Sequence, residues 1–361
     1  MKVKIGELTK IKTGKLDANA ASEDGQYPFF TCSKEPLKIS TYSYDCECVL
    51  VAGNGDLNVK YYNGKFDAYQ RTYIIEDNGS GKLYMPYLYY FMEGYIEELR
   101  KQAIGGVIKY IKLGNLTDAL IELPSVEEQK EIVEILKTTK GILDKRSDEI
   151  CSLDDLIKAR FVELFGDPRS NPFGFEKKML KDTCKVITGN TPSRAIAEYY
   201  GDYIEWIKTD NIVSGILNPT QATESLSEKG MNVGRTVEKD SILMACIAGS
   251  IASIGRVCIT DRTVAFNQQI NAVVPEQYNI LFLYVLLQMS KDYLVEDINM
   301  ALKGILSKSK LEEKEFIIPP MDLQEQFSDF VHQVDKSKVA VQKALDETQL
   351  LFDSLMQEYF G

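Results

Sequence analysis

The sequence predicts an α+β protein: two β-rich units with helices, separated by two long helices that form an antiparallel coiled coil, with a pseudo-two-fold repeat. Three observations predict it. A proline-led, acidic segment, "LPSVEEQKEIVEIL" at 123–136, has a counterpart in "IPPMDLQEQFSDFV" at 318–331, 195 residues later. Each copy continues as a proline-free run whose apolar residues recur in alternating steps of four and three, the seam period of a two-stranded coiled coil. Outside these runs the chain reads as short β-prone segments punctuated by glycine turns.

The repeat is ungapped along the helices. Pro124 aligns with Pro319, Gln129 with Gln324, Ile132 with Phe327, Ile135 with Phe330, Leu136 with Val331, Leu156 with Leu351, Phe165 with Phe360 and Gly166 with Gly361. It is weaker elsewhere: "LTKIKTG" (8–14) matches "TCKVITG" (183–189), "VLVAGNG" (49–55) "ILMACIAG" (242–249), "AYQRT" (68–72) "AFNQQ" (265–269) and "GGVIKYIKL" (105–113) "KGILSKSKL" (303–311). Internal repeats of this kind define domain organisation. The expected order is a first unit at 1–124, a helix at 125–166, a second unit at 167–318 and a helix at 319–361. An old duplication without functional meaning would also leave a repeat. A helical spacing kept without a gap between strongly diverged units points instead to a spacing that matters.

The first seam is Ile132, Leu136, Thr139, Leu143, Arg146, Ile150, Leu153 and Ile157; the second is Phe327, Val331, Val334, Lys338, Val341, Leu345, Thr348 and Phe352. Acidic first turns (Glu127 and Glu128; Asp322) suit the positive end of a helix dipole, and Gly166, Pro168 and Pro172 stop the first helix. Each helix alone would expose an apolar stripe, and the nearest partner is its own repeat. Rotational pseudo-symmetry makes the pair antiparallel, a rod of roughly 50 Å at about 1.5 Å per residue. That length compares with one to one and a half turns of B-DNA at about 34 Å per turn.

Within the units, Asn63-Gly64 between "VKYY" and "KF" predicts a two-residue hairpin turn. Residues 84–102 and their counterpart 279–298 read as helices, and 48–56 and 241–257 as buried strands ending in glycine-rich turns. Such turns bring backbone N–H groups close to a phosphate or base edge. Beside them lie Asn54, Lys60, Lys65, Gln70 and Arg71 in the first unit and Arg256, Asn267, Gln268 and Gln269 in the second, and Lys208 is a further candidate. The glycine- and lysine-rich stretches add Lys109, Lys112, Lys303 and Lys308. Arg and Lys match guanine O6/N7, Asn and Gln match adenine, and loop lysines match phosphates. Thirteen of the 20 tyrosines precede residue 124, interleaved with lysines.

The net charge of −11 argues against a globally basic nucleic-acid coat. Residues 127–160 hold nine acids and seven bases and residues 322–358 eight acids and three bases, which leaves only −4 on the rest. No apolar run reaches membrane-spanning length and "MKVKIGELTKIKTG" lacks the apolar core of a signal peptide, so a cytoplasmic protein is expected. Seven scattered cysteines without a CxxC pair, and a single histidine, His332, speak against a zinc site and against histidine-based catalysis. There is no GxxxxGK[ST] P-loop. "NPFG" (171–174) departs from an NPPY-type methyltransferase tetrapeptide, and "EEK" (312–314) is too short to define a nuclease.

Over essentially its whole length the chain resembles the specificity (S) subunit of type I restriction–modification systems. The match is carried by the helix starts Pro124–Gln129 and Pro319–Gln324, the helix ends "LFGD" and "EYFG", the paired "IKTG" and "VITG", and "ILMACIAGS…IGRV…AFNQQI". The first unit departs from the pattern in "AGNGD" and "AYQRT", which leaves its individual contacts open. The resemblance implies two target recognition domains, each reading half of a bipartite double-stranded DNA sequence, with the helices setting the spacer and docking two methyltransferase subunits. Those partners would bring S-adenosylmethionine and the adenine-methylating site, and restriction subunits would bring ATP and magnesium. The chain itself would be non-catalytic and bind no cofactor or metal. Two alternatives stay open on sequence alone: a methyltransferase or nuclease with duplicated DNA-binding domains, and a protein–protein scaffold.

Overall fold

The computed structural model describes residues 2–296, 298 and 304–361. The chain divides into two compact units, residues 1–147 with 343–361, and residues 148–342. Each unit therefore includes one stretch from each long helix.

The first unit runs through β1 (Lys2–Lys4), α1 (Ile5–Leu8), β2 (Thr9–Thr13), β3 (Tyr27–Phe30), β4 (Leu37–Ile39), β5 (Tyr44–Ala52), β6 (Val59–Ala68), β7 (Thr72–Asp77), α2 (Met85–Gln102), α3 (Leu113–Thr117) and β8 (Leu120–Glu122). Six strands form one sheet in the order β2-β7-β5-β6-β3-β4, in which only β3–β6 is parallel. The period-two alternation of β5 fills two cores. Val49 and Val51 pack with Ile75 against Tyr87, Leu88, Phe91 and Met92 of α2. Cys48 and Leu50 pack on the opposite face with Phe30, Tyr44 and Phe66. Each fully buried Val, Leu or Phe side chain contributes about 1.5–3 kcal/mol.

The hairpin expected at Asn63-Gly64 does not form. β5 and β6 pair without a break from Tyr44↔Phe66 to Val51↔Val59, and Asn63 and Gly64 sit mid-strand opposite Glu47 and Cys46. The chain reverses instead between Ala52 and Val59, where Ala52 N–H donates to Asn58 O. Gly64 stays in the strand with φ +140°, a value open to glycine. Eight successive cross-strand pairs outweigh a local two-residue preference.

The first long helix, α4, spans Val126–Phe165. The second unit follows with β9 (Glu176–Met179), β10 (Cys184–Thr188), β11 (Tyr200–Gly201), β12 (Ile204–Ile207), β13 (Ser225–Leu226), α5 (Glu228–Val233), β14 (Thr236–Val237), β15 (Ile242–Ala245), β16 (Val257–Ile259), β17 (Val264–Phe266), β18 (Ile270–Pro275), α6 (Ile280–Met289), α7 (Lys291–Val295), α8 (Lys308–Glu313), β19 (Glu315–Ile318) and the second long helix α9 (Met321–Phe360). Its sheets have the orders β10-β18-β15-β16 and β11-β13-β12-β17-β14. The repeat is visible in the pairing. β8 pairs antiparallel with β1, and β19 with β9, so the strand that feeds each long helix is paired to the strand near the start of its unit. β12–β17 is the parallel pair that answers β3–β6. Residues 279–298, expected as one helix, are interrupted at Ser290, which takes φ −97° and ψ 14° between α6 and α7.

α4 and α9 are each 40 residues long and start and stop at the same 195-residue offset. None of the sixteen seam positions expected from the sequence is exposed. In the first unit Ile132, Val133 and Leu136 of α4 share a core with Phe352, Leu355, Met356, Tyr359 and Phe360 of α9. In the second, Ile157, Phe161 and Phe165 share a core with Phe327, Val331 and Val334, the rings of Phe161 and Phe327 lying 5.5 Å apart. The head of one helix thus meets the tail of the other in each unit, the expected antiparallel pairing. Three of the four polar seam residues are satisfied, while the Nε of the fourth, Arg146, is buried with no hydrogen-bond partner among the described residues. Thr139 and Thr348 donate to Ile135 O and Ala344 O one turn back, and Lys338 pairs with Asp154 at 2.5 Å. Ser125 and Glu128 form a capping box at the start of α4, with Ser125 N–H to Glu128 Oε2 at 2.8 Å and Glu128 N–H to Ser125 Oγ at 3.2 Å. Gly166 ends α4 at φ +71°, its N–H on Val162 O at 2.8 Å.

Candidate nucleic-acid interface

In the first unit, backbone hydrogen bonds gather five loops at one end of the six-stranded sheet. Gly53 N–H donates to Arg71 O (2.8 Å), Ile111 N–H to Gly53 O (2.9 Å) and Gly55 N–H to Lys109 O (3.0 Å). Gly14 N–H donates to Thr72 O (3.0 Å), Lys15 N–H to Ala68 O (3.2 Å) and Tyr69 N–H to Phe30 O (2.9 Å). A Cβ on Gly14 would collide with the Ala68 carbonyl, which is why glycine ends the "IKTG" strand.

The second unit repeats these bonds. Cys246 N–H donates to Gln269 O (2.8 Å), Leu306 N–H to Cys246 O (2.9 Å), Gly189 N–H to Ile270 O (3.1 Å), Asn190 N–H to Phe266 O (3.1 Å) and Asn267 N–H to Ile207 O (3.0 Å). Gly189 has the same close approach, here to the Asn267 carbonyl. The bridge Asn54↔Tyr110 is matched by Ile247↔Ile305. The bridges equate Tyr110 with Ile305, so the glycine–lysine stretches correspond at an offset of 195, three residues away from the alignment read off the sequence.

These loops place the expected first-unit residues as follows. Asn54 lies in the bridge, Gln70 and Arg71 are exposed in the β6–β7 turn, and Lys109 and Lys112 are exposed on the 104–112 segment. Lys15, Lys34, Arg71 and Lys109 make no ion pair among the described residues, and of the acids on the same loops Asp56 is paired with Arg100. Lys60 is half-buried, its ammonium on Asn58 Oδ1, and burial lowers its pKa. Lys65 lies elsewhere, mid-sheet on β6, with its ammonium 4.7 Å from the Tyr42 ring centre.

In the second unit the positions divide differently. Gln268 is exposed and accepts the Thr191 hydroxyl. Asn267 is 5 % exposed and holds the loop itself, its Oδ1 accepting Gln269 N–H (3.0 Å) and its Nδ2 donating to Gln269 Oε1 (3.1 Å). Arg256 bonds the carbonyls of Ser253 (3.3 Å) and Thr209 (3.1 Å), and Lys308 pairs with Glu312 at 3.4 Å. Lys208 is paired with Glu224 and lies over the Trp206 ring. Lys303 falls outside the described residues.

Sequence reasoning missed Arg194. Its guanidinium stacks 4.5 Å from the Tyr200 ring and 5.2 Å from Trp206, and Glu224 grips it at 2.7 Å. The same Glu224 is held below the usual carboxylate range by Lys208 first and Arg194 second. Arg194 follows "ITGNTPS" directly, yet its partners lie up to 30 residues away, so only the arginine beside the strand end was available as a signal.

Two copies of one loop scaffold, each on a β-rich unit that contains part of both long helices, define the class: a duplicated α+β recognition protein. The chain belongs to the family described as the type I restriction modification DNA specificity domain, whose model matches residues 1–150 and 172–348. It is similar to the type I restriction enzyme EcoDI specificity subunit of Escherichia coli, 42% identical over 156 residues, 43% of this chain and 34% of that one. The MjaIX specificity subunit of Methanocaldococcus jannaschii is 25% identical over 295 residues, 75% of this chain and 67% of that one. The HindI specificity subunit of Haemophilus influenzae matches at 35% over 120 residues, 32% of this chain and 25% of that one. The EcoDI and HindI matches therefore span a third and a quarter of those relatives' lengths. Among solved structures, the S subunit from M. genitalium superposes with a TM-score of 0.64 at 16% identity, over 100% of this chain and 96% of that one. A structure concerned with complex assembly and conformational transition of the type I R-M system gives 0.59 at 16% identity, over 100% and 97%. At that identity the likeness shows the fold.

Proposed function

We propose that the chain is the sequence-reading subunit of a type I restriction–modification complex and carries no catalytic centre of its own. Each unit reads one half of a bipartite double-stranded DNA target through the loops gathered at the end of its sheet. The observation that carries this reading is the double family match, at 1–150 and 172–348, on units that repeat the same loop scaffold.

The finer roles rest on chemistry. The first unit's loop end offers exposed amides and cations, the groups that pair with base edges and phosphates. The long helices run unbroken through residues 147–148 and 342–343, where one compact unit gives way to the other, so a change in their length changes the gap between half-sites. Apolar side chains remain exposed on them, Ile142, Leu156, Val339 and Leu350 among them, and these suit the docking of two methyltransferase subunits. S-adenosylmethionine would enter with those subunits, and ATP and magnesium with restriction subunits. No helix among the described residues is long and apolar enough to cross a membrane.

Mapping methylated adenines in host DNA, with and without the gene for this chain, tests the reading. Loss of methylation at one bipartite motif is the expected result. Methyl transfer by the purified chain alone would overturn the non-catalytic reading. Binding that is absent or indifferent to salt, with methyltransferase subunits present, would favour a protein scaffold.

A further inference from the structure

Val107 is the most exposed large apolar side chain among the described residues, at 104 %, and its neighbour Ile108 is 62 % exposed. Two adjacent β-branched residues in water forgo burial and keep little rotamer freedom. The segment beneath them is pinned. Ile104 and Tyr110 exchange both backbone hydrogen bonds (3.0 and 2.9 Å), Lys109 O accepts Gly55 N–H, and the Tyr73 hydroxyl donates to Ile111 O at 3.2 Å. Gly105 at φ +122° makes the turn that lifts the pair away from the sheet. Lys109, Lys112 and Arg71 stand exposed around this base and make no ion pair among the described residues. A stiff apolar tip ringed by cations, continuous with the Gly53–Asp56 and Tyr69–Arg71 turns, suits a surface that is anionic at its rim and carries methyl groups at its centre. The major groove of DNA has that character: phosphates border it and the thymine 5-methyl group projects into it.

We propose that Val107 and Ile108 contact thymine methyl groups in the major groove of the half-site read by the first unit, and so determine part of that half-site's sequence. The proposal rests on the DNA-reading function above. Under that reading the half-site contains at least one thymine, opposite its methylated adenine.

The test uses the chain assembled with its methyltransferase subunits and duplexes bearing the mapped target. Each thymine of the first half-site is replaced in turn by deoxyuridine, which removes the methyl group and keeps every hydrogen-bonding group. At least one replacement weakens wild-type binding about fourfold, the equivalent of ~0.8 kcal/mol for a buried methyl-sized group. The V107S/I108S double variant binds the thymine duplex more weakly, ignores deoxyuridine, and keeps its preference at the other half-site. An unchanged melting temperature shows that the variant is folded. Wild-type indifference to deoxyuridine throughout the half-site overturns the proposal, as does a variant that still discriminates as wild type does. Indifference combined with 2-aminopurine brightening beside the half-site would mean insertion between bases and also overturns methyl contact. Failure of the wild-type complex to bind the mapped target would sink the DNA-reading function itself, whereas normal binding with neutral deoxyuridine sinks only this inference.

Discussion

The side-chain carbonyl of Gln129 accepts the backbone N–H of Tyr84 at 2.8 Å, and 195 residues later Gln324 does the same to Asn279 at 2.9 Å. Each carboxamide also donates backward, Gln129 to Pro124 O (3.0 Å) and Lys82 O (2.8 Å), Gln324 to Pro319 O (2.8 Å). Both are buried, at 0 % and 1 %. A glutamine is needed because one end must accept while the other donates. The bond ties the first turn of each long helix to the start of a helix within its own unit.

Gln129→Ala and Gln324→Ala each leave a part-buried backbone N–H without its partner. Each is expected to destabilise by about 1–3 kcal/mol, read from urea unfolding. Amide exchange should rise in the first unit for Q129A and in the second for Q324A. An unchanged unfolding midpoint would mean that the bond adds nothing to stability.

Arg71→Ala and Lys109→Ala remove exposed cations that make no ion pair among the described residues. Each should weaken binding evenly across sequences and reduce the slope of log affinity against log salt by about one. Filter binding over a salt series measures this; a slope equal to wild type would place these residues off the DNA.

Gln268→Ala, alone or with Gln269→Ala, should relax the sequence preference of one half-site by about 1–3 kcal/mol and leave the other unchanged. Gln268→Ala is the cleaner variant because Gln269 also holds Asn267 within the loop. Selection from a randomised duplex pool reads the outcome; relaxation at both half-sites would contradict it.

Asp335 sits beside Asp154, Lys158, Tyr284, Gln288 and Lys338, with one carboxylate oxygen buried and without a hydrogen-bond partner among the described residues. Burial raises its pKa, Asp154 adds to the rise, and Lys338 and His332 oppose it. The folded state therefore binds this proton more tightly than the unfolded chain. Its contribution to stability falls as pH rises from the ordinary aspartate range through the raised value. Asp335→Asn should raise the melting temperature at neutral pH and flatten that part of the pH profile. A lower melting temperature at neutral pH would show that the carboxylate is instead well paired.

Much of the fold was legible because its signals are local or periodic. A heptad seam is a property of one helix, so all its positions could be read before the partner helix was known. Gly14 and Gly189 were readable as a pair because the close approach they permit recurs in both copies. Asn63-Gly64 misled because turn preference is local, while strand continuity depends on eight partners on β5. The site was less legible for the same reason. Asn267 and Arg256 look like free reading groups in the sequence but are held by backbone and side-chain groups of the fold. Arg194 is set up by Tyr200, Trp206 and Glu224, which no spacing rule connects.

The central claim is that the paired helices fix the gap between two independently read half-sites. Inserting four residues, about one helical turn, within 137–156 and mapping methylated adenines in the host tests it most directly. The expected result is a motif whose two halves are unchanged and whose intervening gap is altered. A motif with the original gap and altered half-sites would contradict the account.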